Sequence, residues 1–94
     1  MNKKSILITG VSSGIGQGTL SYFVKKGFHV YGSVRSSKDA TKLKKIFRES
    51  FTPLIFDVTN EVQVKKAASF VKKDLKNSNL LALVNNAGIA ISGP

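Results

Sequence analysis

The chain has 94 residues, of which 41% are hydrophobic, and a net charge of +10. A chain of this length supports one modest core, so a single domain is expected. The absence of cysteine and the single histidine, His29, exclude disulfide bonds, thiolate metal sites and a histidine metal cluster. No apolar run reaches the ~7–15 residues of a signal sequence or the ~20 of a membrane span. A cytoplasmic protein without a membrane span is therefore expected.

The high positive charge raises the alternative of a basic nucleic-acid-binding protein. Most of the lysines, however, fall in residues 38–48 and 65–76, where they alternate with apolar residues at helical spacing. This pattern is typical of the solvated outer face of an amphipathic helix. We therefore expect no nucleic-acid partner.

Strand-like and helix-like segments alternate along the chain. The predicted order is a strand at 5–9, a helix at 15–26, a strand at 28–34, a helix at 38–49, a strand at 54–56, a helix at 60–76 and a strand at 80–84. Gly27 is expected to end the first helix, and Ser36 or Ser37 to cap the second. Pro53 is expected to open the third strand, and Asn60 with Gln63 resembles a capping box.

Each predicted helix has an apolar stripe that would face the core. The stripes consist of Leu20, Phe23 and Val24 in the first helix, Leu43, Ile46 and Phe47 in the second, and Val64, Ala67, Ala68, Val71 and Leu75 in the third. Strands alternating with such helices imply parallel strands and right-handed crossovers. The expected fold class is α/β: the N-terminal half of a Rossmann-like doubly wound parallel sheet, with strand order 3-2-1-4 and helices on both faces.

A glycine-rich segment, TGVSSGIG at residues 9–16, lies between the first strand and the first helix. A dinucleotide pyrophosphate needs close backbone approach, a positive φ in the turn and free N–H groups at a helix start. Gly10 would allow the sharp turn, Gly14 would remove a Cβ beside the phosphate, and Gly16 would let the helix pack closely. Ser12 and Ser13 would add hydroxyl donors. The alternative is a glycine-rich turn with no ligand.

The spacing of these glycines, with Thr9 in front, resembles the T-G-x-x-x-G-x-G motif of short-chain dehydrogenases/reductases. Asn85-Asn86-Ala87-Gly88, after the fourth strand, resembles the N-N-A-G motif of the same family, and Asp57-Val58 resembles the acidic position after its third strand. The resemblance covers essentially the whole chain. It implies a portion of an oxidoreductase that transfers hydride between a nicotinamide coenzyme and a carbonyl or alcohol substrate, a small molecule.

The resemblance also implies roles for particular residues. The residues expected around the pyrophosphate and the adenosine ribose are Gly10, Ser12, Ser13, Gly14, Ile15 and Gly16. Asp57 would accept a hydrogen bond from the adenine amino group, with Val58 against the ring, unless Asp57 serves only as a surface turn or helix cap. Asn86, Ala87 and Gly88 would border the ribose, unless 85–86 is an ordinary polar turn.

The residues after the second strand bear on the choice of coenzyme. NAD-binding sites usually place an acidic residue there to accept from the ribose 2′-hydroxyl. This chain has Arg35 and Ser36 instead, and Asp39 is expected in the first turn of the next helix. Arg35 would pair with a 2′-phosphate, and Ser36 and Ser13 would donate to it. NADP(H) is therefore expected over NAD(H), although Ser13 stands where NADP-binding members often carry a basic residue.

The family performs its chemistry with Ser, Tyr and Lys, the last two spaced Y-x-x-x-K. Tyr22 and Lys26 have this spacing, but they fall at the far end of the first predicted helix, so we expect no catalytic residue in this chain. The resemblance implies that the catalytic residues follow residue 94, that 1–94 is a partial domain, and that the complete enzyme is a homo-oligomer. An alternative is a truncated, non-catalytic nucleotide-binding or interaction module. The isolated chain is expected to be marginally stable or to self-associate through its apolar fourth strand.

Overall fold

The computed structural model describes residues 4–12, 14–57, 59–75 and 80–85. Strands and helices alternate along these ranges, as the sequence predicted. In chain order the elements are β1 (Ser5–Thr9), α1 (Gly14–Lys25), β2 (His29–Val34), α2 (Ser37–Phe47), a 3₁₀ turn (Arg48–Ser50), β3 (Phe51–Ile55), α3 (Glu61–Leu75) and β4 (Leu80–Asn85).

The four strands form one sheet in the order β3-β2-β1-β4, and every neighbouring pair is parallel. In the register of the sheet, Ile8 of β1 lies opposite Gly32 of β2, which in turn lies opposite Pro53 of β3. Each connection between parallel strands is a helix, as parallel pairing requires. The predicted α/β class with a Rossmann-like parallel sheet is therefore confirmed.

Side chains that alternate along the strands build two cores, one on each face of the sheet. On the first face, Ile6 and Ile8 of β1 pack with Leu20 of α1 and Leu43 of α2. On the second face, Tyr31 of β2 packs in a cluster with Leu54 of β3 and Val71 of α3. Helices α1 and α2 thus cover one face and α3 covers the other.

Two of the residues predicted for the helix stripes do not lie in the core. Ile46 of α2 is 55% exposed, and Ala68 of α3 is also exposed. The buried positions of α2 are Ala40 and Leu43, with Phe47 partly buried against them. The stripe of α2 therefore begins one turn earlier than predicted, because a small alanine contributes to it and lets the helix approach the sheet.

The third strand is also longer than predicted. It begins at Phe51, places Pro53 in its interior and ends at Ile55. Proline lacks the N–H that a central strand donates, so it is confined to strand edges. In the described sheet β3 pairs with β2 alone, and this edge position explains how Pro53 fits within the strand.

Helix α1 ends as predicted at a glycine. Gly27 has a φ of +91°, its N–H donates to the Val24 carbonyl at 3.0 Å, and the N–H of Phe28 donates to the Phe23 carbonyl at 3.0 Å. These bonds satisfy carbonyls of the last turn, which otherwise lack helical partners. The chain then enters β2 directly.

Candidate functional site

The candidate site residues follow the carboxyl ends of β1, β2 and β3, which meet at one edge of a parallel sheet. Crevices at this edge are where open α/β sheets bind ligands. The predicted residues within the described ranges are Gly10, Ser12, Gly14, Ile15, Gly16, Arg35, Ser36 and Asp57. Ser13, Val58, Asn86, Ala87 and Gly88 lie outside the described residues.

Residues 10–16, called the glycine loop below, begin with a turn that is hydrogen-bonded to β2. Gly10 has a φ of +69°, which glycine adopts without strain. Its N–H donates to the Oγ of Ser33 at 2.8 Å, and the N–H of Val11 donates to the Ser33 carbonyl at 3.0 Å. Val11 is fully buried. The start of the loop is therefore held by β2.

Helix α1 starts at Gly14, which is exposed, and a Cβ built there would meet no heavy atom within 4 Å. Gly16, one half-turn later, is buried. The first turn of α1 contains no acidic residue, so no carboxylate of that turn neutralises the partial positive charge of the helix start. Ile15 is 79% exposed at the same place. Space, charge and an apolar contact surface thus coincide at this end of the helix.

Arg35 and Ser36 follow β2 directly. Ser36 is the N-cap of α2, and its Oγ accepts a hydrogen bond from the Asp39 N–H at 3.2 Å. This confirms the predicted cap, and Asp39 lies in the first turn of α2 as expected. The Ser36 hydroxyl retains its own proton for donation. Arg35 is exposed, and the ion pair found within the described ranges joins Lys65 and Glu61 instead.

Asp57 is exposed beyond the end of β3 and forms a local turn with Thr59. Its Oδ1 accepts from the Thr59 N–H at 2.9 Å and from the Thr59 hydroxyl at 2.7 Å. These two bonds lower the pKa of the Asp57 carboxyl, and the positive charge of Arg35 lowers this pKa further. Arg35 and Asp57 are thus electrostatically coupled across the ends of β2 and β3.

The predicted capping box before α3 is only half present. Asn60 Oδ1 accepts from the Gln63 N–H at 3.1 Å, as predicted. The Gln63 side chain, however, does not return to the Asn60 N–H, because that group donates to the Asp57 carbonyl at 2.9 Å. Gln63 Oε1 instead accepts from the Asp57 N–H at 2.7 Å. Both backbone polar groups of Asp57 are therefore held by residues at the start of α3.

The Tyr22–Lys26 pair lies at the opposite end of α1 from the glycine loop. The Lys26 ammonium lies 5.5 Å from the centroid of the Tyr22 ring, within the range of a cation–π contact. The same ring makes an edge contact with Phe23 at 5.2 Å. This geometry accounts for the two side chains by local packing on the helix.

Sequence reasoning did not identify Ser33, Thr59 or Gln63 as parts of this site. Ser33 carried one weak signal, because it is a polar residue directly before the apolar end of the strand His29–Val34, but only the structure shows that it is 2% exposed. Thr59 and Gln63 carried none beyond the usual preference of such residues for helix starts.

No cluster of three or more potential metal ligands occurs in the part of the chain that the structure describes. Over the same ranges, each helix is too short or too polar to cross a bilayer. All lysines of α2 and α3 are exposed, in agreement with the solvated faces predicted from the sequence.

The model of the short chain dehydrogenase family matches residues 4–94. The chain belongs to the short-chain dehydrogenase/reductase family. An NADPH-dependent 3-dehydrocapnine reductase of Ornithobacterium rhinotracheale is 42% identical over 88 residues, which are 94% of this chain and 31% of that protein. The chain therefore spans about a third of the length of this curated relative.

Solved structures of the family have a similar fold. ElxO with NADP bound superposes with a TM-score of 0.84 at 33% identity, covering 98% of this chain and 38% of that one. A 3-ketoacyl-(acyl-carrier-protein) reductase of Brucella melitensis, complexed with NADH, superposes with a TM-score of 0.73 at 25% identity, covering 81% and 31%. Similar folds thus hold either coenzyme, so the fold does not decide between them.

Proposed function

We propose that residues 1–94 form the coenzyme-binding part of a Rossmann domain and that the coenzyme is NADP(H). The observation that carries this proposal is the junction of β1 and α1. There a glycine at φ +69° leads into a helix that starts on an exposed glycine with no acidic residue in its first turn. Such a junction suits a diphosphate, because backbone N–H groups and the helix dipole both favour an anion.

The start of α1 is compatible with a ligand lying against the helix end, because Gly14 is exposed and a Cβ there would meet no heavy atom within 4 Å. We propose that Ser12, Ser13, Gly14, Ile15 and Gly16 surround the pyrophosphate and the adjoining ribose, with Gly10 shaping the turn. Asn86, Ala87 and Gly88 are proposed to border the ribose.

At the adenosine end, we assign Arg35 and Ser36 to the 2′-phosphate and Asp57 to the adenine amino group, with Val58 against the ring. Arg35 is exposed and lies close enough to Asp57 to lower the pKa of its carboxyl. Within the described ranges Asp57 Oδ2 accepts no hydrogen bond, whereas Oδ1 accepts two. The local turn and the ligand role are therefore compatible in the same carboxylate.

The preference for NADP(H) rests on Arg35, because similar structures bind either coenzyme. A guanidinium pairs with a phosphate through charge-assisted hydrogen bonds, whereas a 2′-hydroxyl gains little from it. The acid that an NAD site would need after β2 is absent, since Asp39 lies in the first turn of α2 and its N–H is bonded to the Ser36 cap.

For the whole protein we propose an oxidoreductase of carbonyl or alcohol substrates. The bound nicotinamide would supply or accept the hydride, and the residues of this chain would bind and orient the coenzyme. The reductase names of two relatives support this activity. We also propose that the complete enzyme is cytoplasmic and that it is a homo-oligomer. Light scattering of the purified protein would test the oligomeric state.

The coenzyme assignment is tested by titrating the purified protein with NADPH and NADH. We expect tighter binding of NADPH, and we expect Arg35→Gln to weaken NADPH binding roughly 10- to 100-fold while leaving NADH nearly unchanged. Lys45→Gln is the matched control, because it removes the same charge from the last turn of α2, away from the site. A wild-type preference for NADH that Arg35→Asp does not alter would refute the NADP(H) assignment.

Activity is tested separately from binding. NADPH oxidation by the whole protein, measured with a panel of aldehydes and ketones, should show turnover, whereas residues 1–94 alone should show none. Tight NADPH binding with no turnover on any carbonyl or alcohol would instead support a non-catalytic nucleotide-binding module.

A further inference from the structure

We infer that Ser33 is a positioning residue for the glycine loop, an inference that rests on the coenzyme site proposed above. Ser33 lies near the carboxyl end of β2 and is 2% exposed. A buried hydroxyl needs a hydrogen-bond partner, and here that partner is the backbone N–H of Gly10, the first residue of the glycine loop.

Three interactions attach the first two loop residues to two consecutive residues of β2. The Gly10 N–H donates to Ser33 Oγ at 2.8 Å, and the Val11 N–H donates to the Ser33 carbonyl at 3.0 Å. The Val11 side chain packs over Gly32, whose missing Cβ would lie 2.8 Å from Val11 Cγ2. The backbone contacts are available to any residue at position 33, but the bond to Gly10 requires a side-chain acceptor.

This bond determines where the loop leaves the strand. The chain turns sharply at Gly10, whose φ is +69°. At this turn the Gly10 N–H donates to the Oγ of Ser33, 23 residues away in sequence. The hydroxyl thus fixes the direction in which residues 11–16 approach the phosphate.

The same bond gives different roles to the residues of the glycine loop. Because the Gly10 N–H donates to Ser33, it is not directed at the coenzyme. The donors to the pyrophosphate are then the amides and hydroxyls that follow Val11, at the start of α1. Gly10 therefore contributes shape, and Ser33 acts on the coenzyme only through Gly10.

The test compares Ser33→Thr with Ser33→Val. Threonine and valine have the same shape and both suit a strand, but only threonine retains the hydroxyl, so any overpacking by the added methyl group affects both variants equally. The ligands are NADPH and adenosine 2′-monophosphate, which carries the 2′-phosphate and adenosine but no pyrophosphate. We expect Ser33→Val to bind NADPH roughly three- to tenfold more weakly than Ser33→Thr. Binding of adenosine 2′-monophosphate should differ by a smaller factor between the two variants, because this ligand lacks the pyrophosphate that the loop is proposed to hold.

Equal NADPH affinity in the two variants would refute the inference. An equal loss for both ligands would refute it as well, because Ser33 would then support the fold in general rather than the loop. If Ser33→Val fails to fold, Ser33→Cys provides the second comparison, since a thiol is a weaker acceptor and should give an intermediate loss of NADPH affinity.

Amide hydrogen exchange of the ligand-free protein separates this inference from the proposed function. The Gly10 amide should exchange faster in Ser33→Val than in Ser33→Thr, while the amides of β1 stay unchanged. Unchanged exchange at Gly10 would mean that the hydroxyl does not hold the loop. Failure of the wild-type protein to bind either coenzyme, with the exchange difference still present, would refute the proposed function while leaving the attachment of the loop to Ser33 intact.

Discussion

Phe51 on β3 occupies the space that a side chain at Gly32 on β2 would need. A Cβ built on Gly32 would lie 2.7 Å from Cε1 of Phe51 and 2.8 Å from Cγ2 of Val11. Both of these neighbours are fully buried, so neither has open solvent to move into. The absence of a side chain at Gly32 therefore lets the edge strand and the glycine loop pack on the same point of β2.

We predict that Gly32→Ala lowers the free energy of unfolding by about 1–3 kcal/mol, because the added methyl group overpacks the core. Urea denaturation measures this change. Gly18→Ala is the matched control, since Gly18 is exposed within α1 and a Cβ there meets nothing within 4 Å. The control should stabilise the protein by about 0.5–1 kcal/mol, the usual gain of alanine over glycine in a helix.

A smaller residue at position 51 should relieve the overpacking. We expect Gly32→Ala combined with Phe51→Leu to be more stable than the sum of the two single changes predicts, with a coupling of at least about 0.5 kcal/mol, as neighbouring core residues show. Strict additivity in the double-mutant cycle would mean that Phe51 is not the residue that limits space at Gly32.

The inner face of α2 can be tested by two alanine substitutions one turn apart. Leu43 is 2% exposed and Ile46 is 55% exposed. We predict that Leu43→Ala lowers the free energy of unfolding by about 2–5 kcal/mol, whereas Ile46→Ala changes it by less than about 1 kcal/mol. Thermal or urea denaturation of the two variants checks this. Similar losses in both would mean that the helix is rotated relative to the structure.

The alternation of strands and helices was predictable because each element carries its own periodicity. The apolar run of β1 ends at Gly10, and its bounds were predicted correctly. The errors arose where tertiary context decides. The sequence pattern predicts Pro53 as the start of β3, yet an edge strand accepts a proline in its interior. The same kind of pattern predicts Ile46 in the core, because the spacing of large residues does not reveal that the small Ala40 faces the sheet.

The candidate site was predictable to the extent that local motifs define it. The turn at Gly10, the cap at Ser36 and the exposed Arg35 after β2 follow from residue types within a few positions of one another. The bond between Ser33 and Gly10 joins residues 23 positions apart. The sequence alone contains no periodicity or spacing that pairs these two residues, so this part of the site required the structure.

The acidity of Asp57 provides a prediction about the adenosine end of the site. Its pKa is lowered first by the Thr59 side-chain hydrogen bond, then by the Thr59 backbone, and only then by the charge of Arg35. We expect Thr59→Val to raise the pKa of Asp57 in the folded protein, and Arg35→Gln to raise it by less. Carboxyl carbon shifts followed by NMR against pH measure both changes.

The sign of this effect follows from linkage. Because the folded pKa of Asp57 lies below the unfolded value, the bonds to Thr59 favour the folded state above that unfolded value and lose this effect as the pH falls through the folded pKa. Thr41→Val is the control, since the Thr41 hydroxyl bonds the Ser37 carbonyl in α2 rather than a carboxylate. A larger rise from Arg35→Gln than from Thr59→Val would show that charge, not hydrogen bonding, governs this carboxyl.

On the face of the sheet that α3 covers, the Tyr31 hydroxyl donates to Asp74 Oδ2 at 2.5 Å and links β2 to α3. Burial raises the pKa of Tyr31 well above its usual value, and the bond to the Asp74 carboxylate and its negative charge raise it further. Above about pH 10 the unfolded chain loses the tyrosine proton while the folded chain keeps it. The free energy of unfolding should therefore fall as pH rises, by up to about 1.4 kcal/mol per pH unit from this group.

We predict that Tyr31→Phe removes this alkaline component and costs about 1 kcal/mol near neutral pH through the lost hydrogen bond. Urea denaturation from about pH 8 to about pH 11 compares the slopes. Tyr22→Phe is the matched control, because it removes the hydroxyl of the other tyrosine, a residue that is 55% exposed, and should retain the alkaline fall in stability that Tyr31 causes. In that control Tyr31 is the one remaining tyrosine, so its tyrosinate absorbance should appear together with alkaline unfolding. Ionisation of Tyr31 well before unfolding would contradict its burial against α3.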